Sequence, residues 1–186
     1  SGGTVAGSTG AFSQNIAIRL SSATNNLHVH QDDSDKSLLQ FSNTTTGSAT
    51  GDGFQIGISG DEEALLDMKE SKPIILSTGG GERLRIDSSG RVLISHTASR
   101  TVGTKTGQIQ VIESGNNAAI SIIQTNNAAS APFLAFGKTR SANDTGSTIV
   151  QNGDSLGQIL FAGADGSDVD STGATITAKV DGTPGA

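Results

Sequence analysis

Residues 82–94 read ERLRIDSSGRVLI, and two short alternating runs meet there across a turn. Leu84 and Ile86 share one side of an extended strand, and Val92 and Ile94 share one side of the next. Ser88-Ser89-Gly90 supplies the small residues and the positive-φ glycine that a tight reversal needs. Glu82, Arg83, Arg85 and Asp87 put both signs of charge around the apolar positions, available for cross-strand pairing. The stretch predicts a β-hairpin whose core face is Leu84, Ile86, Val92 and Ile94. It carries structure rather than chemistry.

The same period of two recurs on both sides of this hairpin. It places Ile16, Ile18 and Leu20 on one face, then Leu27 and Val29, then Phe54, Ile56 and Ile58. Further along it pairs Ile109 with Val111, Ile120 with Ile122, Leu134 with Phe136, and Ile159 with Phe161, and it ends on Ile176, Ala178 and Val180. Alternation over such lengths is the signature of half-buried strands. Gly/Asn/Asp turn clusters separate the runs, as at Thr50 to Gly53, Thr78 to Gly81 and Gly163 to Gly166. Glu62 to Met68 could pass for a helical turn, but its flanks argue for a strand. The fold class is all-β.

Composition limits what such a chain can do. Gly, Ser, Thr and Asn supply about two in five of the 186 residues, where Gly alone ordinarily supplies about 7%. Six Phe are the whole aromatic content, and the formal charge is −6. A polyanion would be repelled, and there are few rings on which bases or sugars could stack, so nucleic acid is excluded as a partner. There is no Cys, no apolar run long enough to span a membrane and no signal segment.

A weak internal repeat relates residues 27–59 to 109–139, each a short strand, a strand running into a Ser/Thr/Asn loop, and a third alternating strand. The domain reading is an N-terminal strand and connector (1–26), a first β module (27–100), a connector (101–106) and a second module (107–186). Each strand offers only two or three modest aliphatic side chains to one face, too thin a face for an isolated sheet. The expectation is therefore an intertwined homotrimer, β-prism or β-helix-like, with a monomeric β-sandwich as the alternative.

ERLRIDSSGRVLI, with GDGFQIGISGDEEALL (51–66) and PIILSTGGG (73–81), resembles a recurring module of tailed-phage fibres and appendages. GQILFAGADG (157–166) resembles, more loosely, another repeated element of the same fibres. The resemblance implies a structural virion fibre that presents a host-binding tip for attachment. Its partners would be two further copies of itself, other tail or baseplate proteins, and a host-surface glycan reached through a tip outside this chain. A polysaccharide depolymerase tailspike or a capsid decoration fibre are the alternatives. The chain opens on Ser1 rather than Met, and its second module lacks an ERLRID-type closing hairpin, so it reads as an excerpt of a longer polypeptide.

Four groups of residues invite a chemical reading. His28 and His30 form an H-x-H pair, and in some phage fibre tips such pairs from three chains enclose an axial metal. Leu27 and Val29 own the opposite face, which favours two solvated imidazoles instead. Asp32, Asp33 and Asp35, and separately Asp165, Asp168 and Asp170, could gather carboxylate oxygens around Ca²⁺, but neither matches an EF-hand loop, and solvated turns are the simpler account. Asp61, Glu62, Glu63, Asp67 and Glu70 raise a glycosidase reading, against which stand consecutive acids pointing to opposite faces and the lack of Trp or Tyr to line subsites. His96 is isolated, and Gly79 to Gly81 lack the Lys-Ser/Thr of a phosphate loop. The sequence assigns no catalytic residue and no cofactor.

Overall fold

The structure, a computed structural model, describes residues 34–184. The strands are β1 (Ser37–Phe41), β2 (Phe54–Ile58), β3 (Ala64–Met68), β4 (Ile74–Thr78), β5 (Gly81–Ile86), β6 (Val92–Ile94), β7 (Ile109–Val111), β8 (Ser155–Gly163) and β9 (Ser171–Lys179). No helix occurs among the described residues, and therefore none long and apolar enough to cross a membrane. All-β is the observed class. The chain divides after Ser71 into two units, a boundary that falls inside the 27–100 module of the sequence reading.

The first unit is an antiparallel three-stranded sheet in the order β1-β2-β3. Its register aligns Leu39, Ile56 and Leu66 in one row and Phe41, Phe54 and Met68 in the next, with the Phe41 and Phe54 rings stacked at 6.3 Å. Directly opposed residues share a face, so these rows form one apolar plate. The other face carries Gln40, Gln55 and Asp67 in register. On that side the 42–53 loop folds back. Gln55 donates to the Thr50 carbonyl at 2.6 Å, and Gln40 donates to the carbonyls of Ala49 and Asp52. The loop therefore buries a glutamine, Gln55 at 4% exposure, while the apolar plate stays open.

The second unit holds a four-stranded sheet, β4-β5-β6-β7, and a two-stranded sheet, β8-β9. Gly79 and Gly80, both at positive φ, form the two-residue loop between β4 and β5, as a primed hairpin turn requires. Asp87 closes the next turn: its carboxylate accepts from the Ser89 and Arg91 amides at 2.9 and 3.0 Å and from Arg91 Nε at 2.9 Å. β6 then pairs in parallel with β7, after an excursion through residues 95–108. Within that excursion Gly103 is buried with φ +60°, donates its amide to the Val169 carbonyl at 3.1 Å, and leaves no room for a Cβ against Leu160. Within residues 101–106, read from sequence as a connector, Gly103 thus lies against Leu160 of β8 while the other five are exposed.

Two aliphatic rows cross the whole four-stranded sheet: Ile74, Ile86, Val92 and Ile109, and beside them Leu76, Leu84, Ile94 and Val111. The hairpin lies where ERLRIDSSGRVLI placed it, with the predicted apolar face, but that face is not the core. Leu93, on the opposite face between Arg85 and Gln110, is the residue that is fully buried. Leu76 is 54% exposed and Ile109 is 70% exposed. Long side chains such as that of Arg85 cover apolar neighbours with their stems, which suits the observed burial of Leu93.

Two strand expectations fail. Ile120/Ile122 and Leu134/Phe136 alternate as strands do, yet residues 112–154 contain no strand. A strand exists only with a partner to complete its ladder, and no backbone ladder forms along these runs among the described residues, although the Phe136 side chain sits against Gly157 on β8. The repeat of 27–59 in 109–139 is correspondingly incomplete: the first copy forms β1 and β2, while the second forms only β7.

Candidate functional site

His28 and His30 lie outside the described residues, as do Asp32, Asp33 and the Ile16–Leu20 and Leu27/Val29 runs. Asp165, Asp168 and Asp170 are brought together, with one carboxylate oxygen of each within 4.8 Å of the others, all three exposed. Local hydrogen bonds explain the grouping. Asp165 accepts from the Ser167 amide at 2.8 Å and the Asp168 amide at 3.2 Å, which holds its carboxyl below the ordinary value. Asp168 accepts from the Asp170 amide at 3.0 Å, and its carboxylate in turn pushes Asp170 up. These are the bonds of a carboxylate-stabilised turn leading into β9.

The acids of the glycosidase reading are dispersed. Asp61, Glu62 and Glu63 form the β2–β3 turn, where the Ser59 amide donates to the Glu63 carbonyl at 2.9 Å and Glu62 takes φ +63°. Asp67, on β3, pairs with Lys69. Glu70 accepts from the Gly53 amide at 2.7 Å, which fastens the end of β3 to the start of β2. His96 folds onto its own turn, Nδ1 lying 2.7 Å from the Ala98 carbonyl oxygen.

The remaining strong ion pairs also serve the backbone. Arg85 binds both oxygens of Glu82, one at 2.6 Å; the contact lowers the Glu82 pKa and raises that of Arg85. Arg140 grips both oxygens of Asp154 at 2.7 Å. Asp154 also accepts from the Gln151 amide at 2.9 Å, and with Arg140 beside it the carboxyl sits far below its usual value. Together they close the 140–154 loop ahead of β8.

The other Glu70 oxygen, Oε2, is buried without a hydrogen-bond partner; the larger uncovered features are apolar. In the first unit Leu39, Phe41, Ile56, Ile58 and Leu66 stand between 38% and 58% exposed on one continuous plate. On β8-β9, Ile159, Phe161 and Ile176 share one face at 43% to 62% exposure. With the aliphatic rows of β4–β7, each of the three sheets leaves an apolar face uncovered. Sequence reasoning picked Ile56, Ile58, Ile159, Phe161 and Ile176 as apolar-face positions but not Leu39, Phe41 or Leu66, and alternation cannot say what covers any of them. They form the candidate functional surface.

Compared with protein-family models, with curated proteins and with solved structures, the chain matches none.

Proposed function

We propose that this chain is a shaft segment of a virion fibre, a homotrimer on the exterior of a tailed phage that carries a host-binding tip. One observation carries the reading: three sheets each keep an apolar plate open while Leu93 is the one large aliphatic side chain fully buried among the described residues. Ordering a chain costs about 1–2 kcal/mol per residue in backbone entropy alone. Burial on this scale leaves that cost unmet in an isolated copy. Three copies whose plates face a common axis supply the missing core, and the small Gly, Ser and Ala side chains let the backbones approach.

The sequence resemblance to phage-fibre modules adds the setting, a tail or appendage with neighbouring tail or baseplate proteins as partners. The role is mechanical and adhesive, with contact to host glycan made by the tip rather than by these sheets. The local turn and ion-pair duties of Asp61, Glu62, Glu63, Asp67 and Glu70 favour this over a depolymerase. Sedimentation equilibrium at micromolar concentration tests the reading. A mass three times 18.7 kDa is expected; a monodisperse single chain with a cooperative melt overturns it.

A further inference from the structure

Between β7 and β8 the chain runs for some forty residues without a strand. From 113 to 138 no backbone N–H or C=O group pairs with another backbone group among the described residues. The same ribbon holds the most exposed large apolar side chains of the unit: Ile120 at 77%, Ile123 at 79% and Phe133 at 81%. It has the alternation of a strand and lacks only a ladder.

An acceptor lies in the same unit. β7 is the edge strand of its sheet. Beside it opens an apolar groove of about 700 Å³, lined by Val102, Ile109, Val111, Leu160 and Val169. The chain's own ribbon begins at the rim of this groove, where Glu113 and Ala118 form part of the wall, and does not fill it. Donor and acceptor therefore sit on one chain with neither satisfied by the other. Such a pair is filled head to tail between copies, and a head-to-tail contact that closes forms a ring.

Resting on the trimer reading above, we propose that residues 118–124 of each copy add as a strand to β7 of the next copy and cover its groove. The occupant is a second copy of this chain. Ile109 on the acceptor strand and Ile120, Ile122 and Ile123 on the ribbon stand 51% to 79% exposed, so both sides of the contact bring open apolar surface to bury. Strand addition supplies ladder bonds to a backbone that has none and places Ile120 or Ile122 over Ile109 and Val111.

The chain has no native cysteine, so engineered thiols report without background. The double variant Ile109→Cys/Ile122→Cys is oxidised and run on a denaturing gel, beside each single variant and a second pair, Val111→Cys/Ile120→Cys. At least one pair is expected to give covalent dimers and trimers, while the single variants remain monomeric. A disulfide within one chain in either pair, seen as a monomer band without free thiol, overturns the exchange and makes the ribbon a local hairpin. Native mass of the same samples separates the two proposals. A trimer with no crosslink in either pair refutes the exchange and leaves the fibre reading standing; a folded single-chain mass refutes both.

Discussion

Gly57 lies mid-β2, opposite Leu38 on β1 and Leu65 on β3. A methyl group added there would meet the Ser37 carbonyl oxygen at 2.0 Å and Leu38 Cα at 3.0 Å. Both obstacles are backbone, so no rotamer change relieves them. Restoring an ordinary contact of about 3.5 Å displaces β1 by roughly 1.5 Å. Ladder bonds near 2.9 Å do not survive such a shift, and two or three of them at about 1 kcal/mol each put the cost of Gly57→Ala at about 2–3 kcal/mol. Gly60→Ala is the matched control, since nothing lies within 4 Å of its added Cβ. Amide hydrogen exchange reads the difference: β1 amides should lose protection by roughly 30- to 150-fold in Gly57→Ala relative to Gly60→Ala. Equal protection in the two variants would refute the claim that β1 seats on a glycine backbone.

Leu93→Ala removes the buried side chain of the four-stranded sheet and should lower stability by about 3 kcal/mol, measured by denaturant melts against Leu76→Ala at the exposed face. Asp87 and Asp154 have carboxyls held below their ordinary range, Asp87 chiefly by the Arg91 amide and Asp154 chiefly by Arg140. Their stabilisation is therefore present above about pH 4 and lost as pH falls through the lowered folded-state values. Melting temperature followed from pH 5 to pH 2 should fall less steeply in Asp87→Asn/Asp154→Asn than in the parent, and parallel curves would remove these carboxylates from the account. Ile56→Asp/Leu66→Asp places charge on the plate of the first unit and should convert trimer to smaller species by sedimentation; an unchanged trimer would take that plate out of the interface.

The position of the hairpin at 82–94 was legible because what specifies it is local, alternation and Ser88-Ser89-Gly90 at the turn, whereas the closing role of Asp87 and the same-strand pairing of Glu82 with Arg85 were not. The β4–β5 turn was legible in the same way, from Gly79 and Gly80. Ile120/Ile122 and Leu134/Phe136 misled because the side-chain period is a property of one segment, whereas a strand is a property of two. Leu93 and Gln55 were missed for a related reason. Alternation separates two faces, and only what folds over them decides which is buried. For Gln55 that is the 42–53 loop, which caps the polar face with amide-to-carbonyl bonds that no hydrophobic pattern announces. The open apolar faces follow from the same limit: Ile56, Ile58, Ile159 and Ile176 could be read as apolar, and their exposure could not.

The open plates have a consequence in time as well as in energy. In the proposed trimer each chain completes its core only against other copies, which joins folding to encounter, so the rate of reaching the finished state would rise with chain concentration. The reverse step would have no such helper, because in that assembly three copies must part together before any one can unravel. Refolding after dilution should therefore be slow and incomplete while unfolding at the same concentration is slower still, a hysteresis characteristic of kinetic stability.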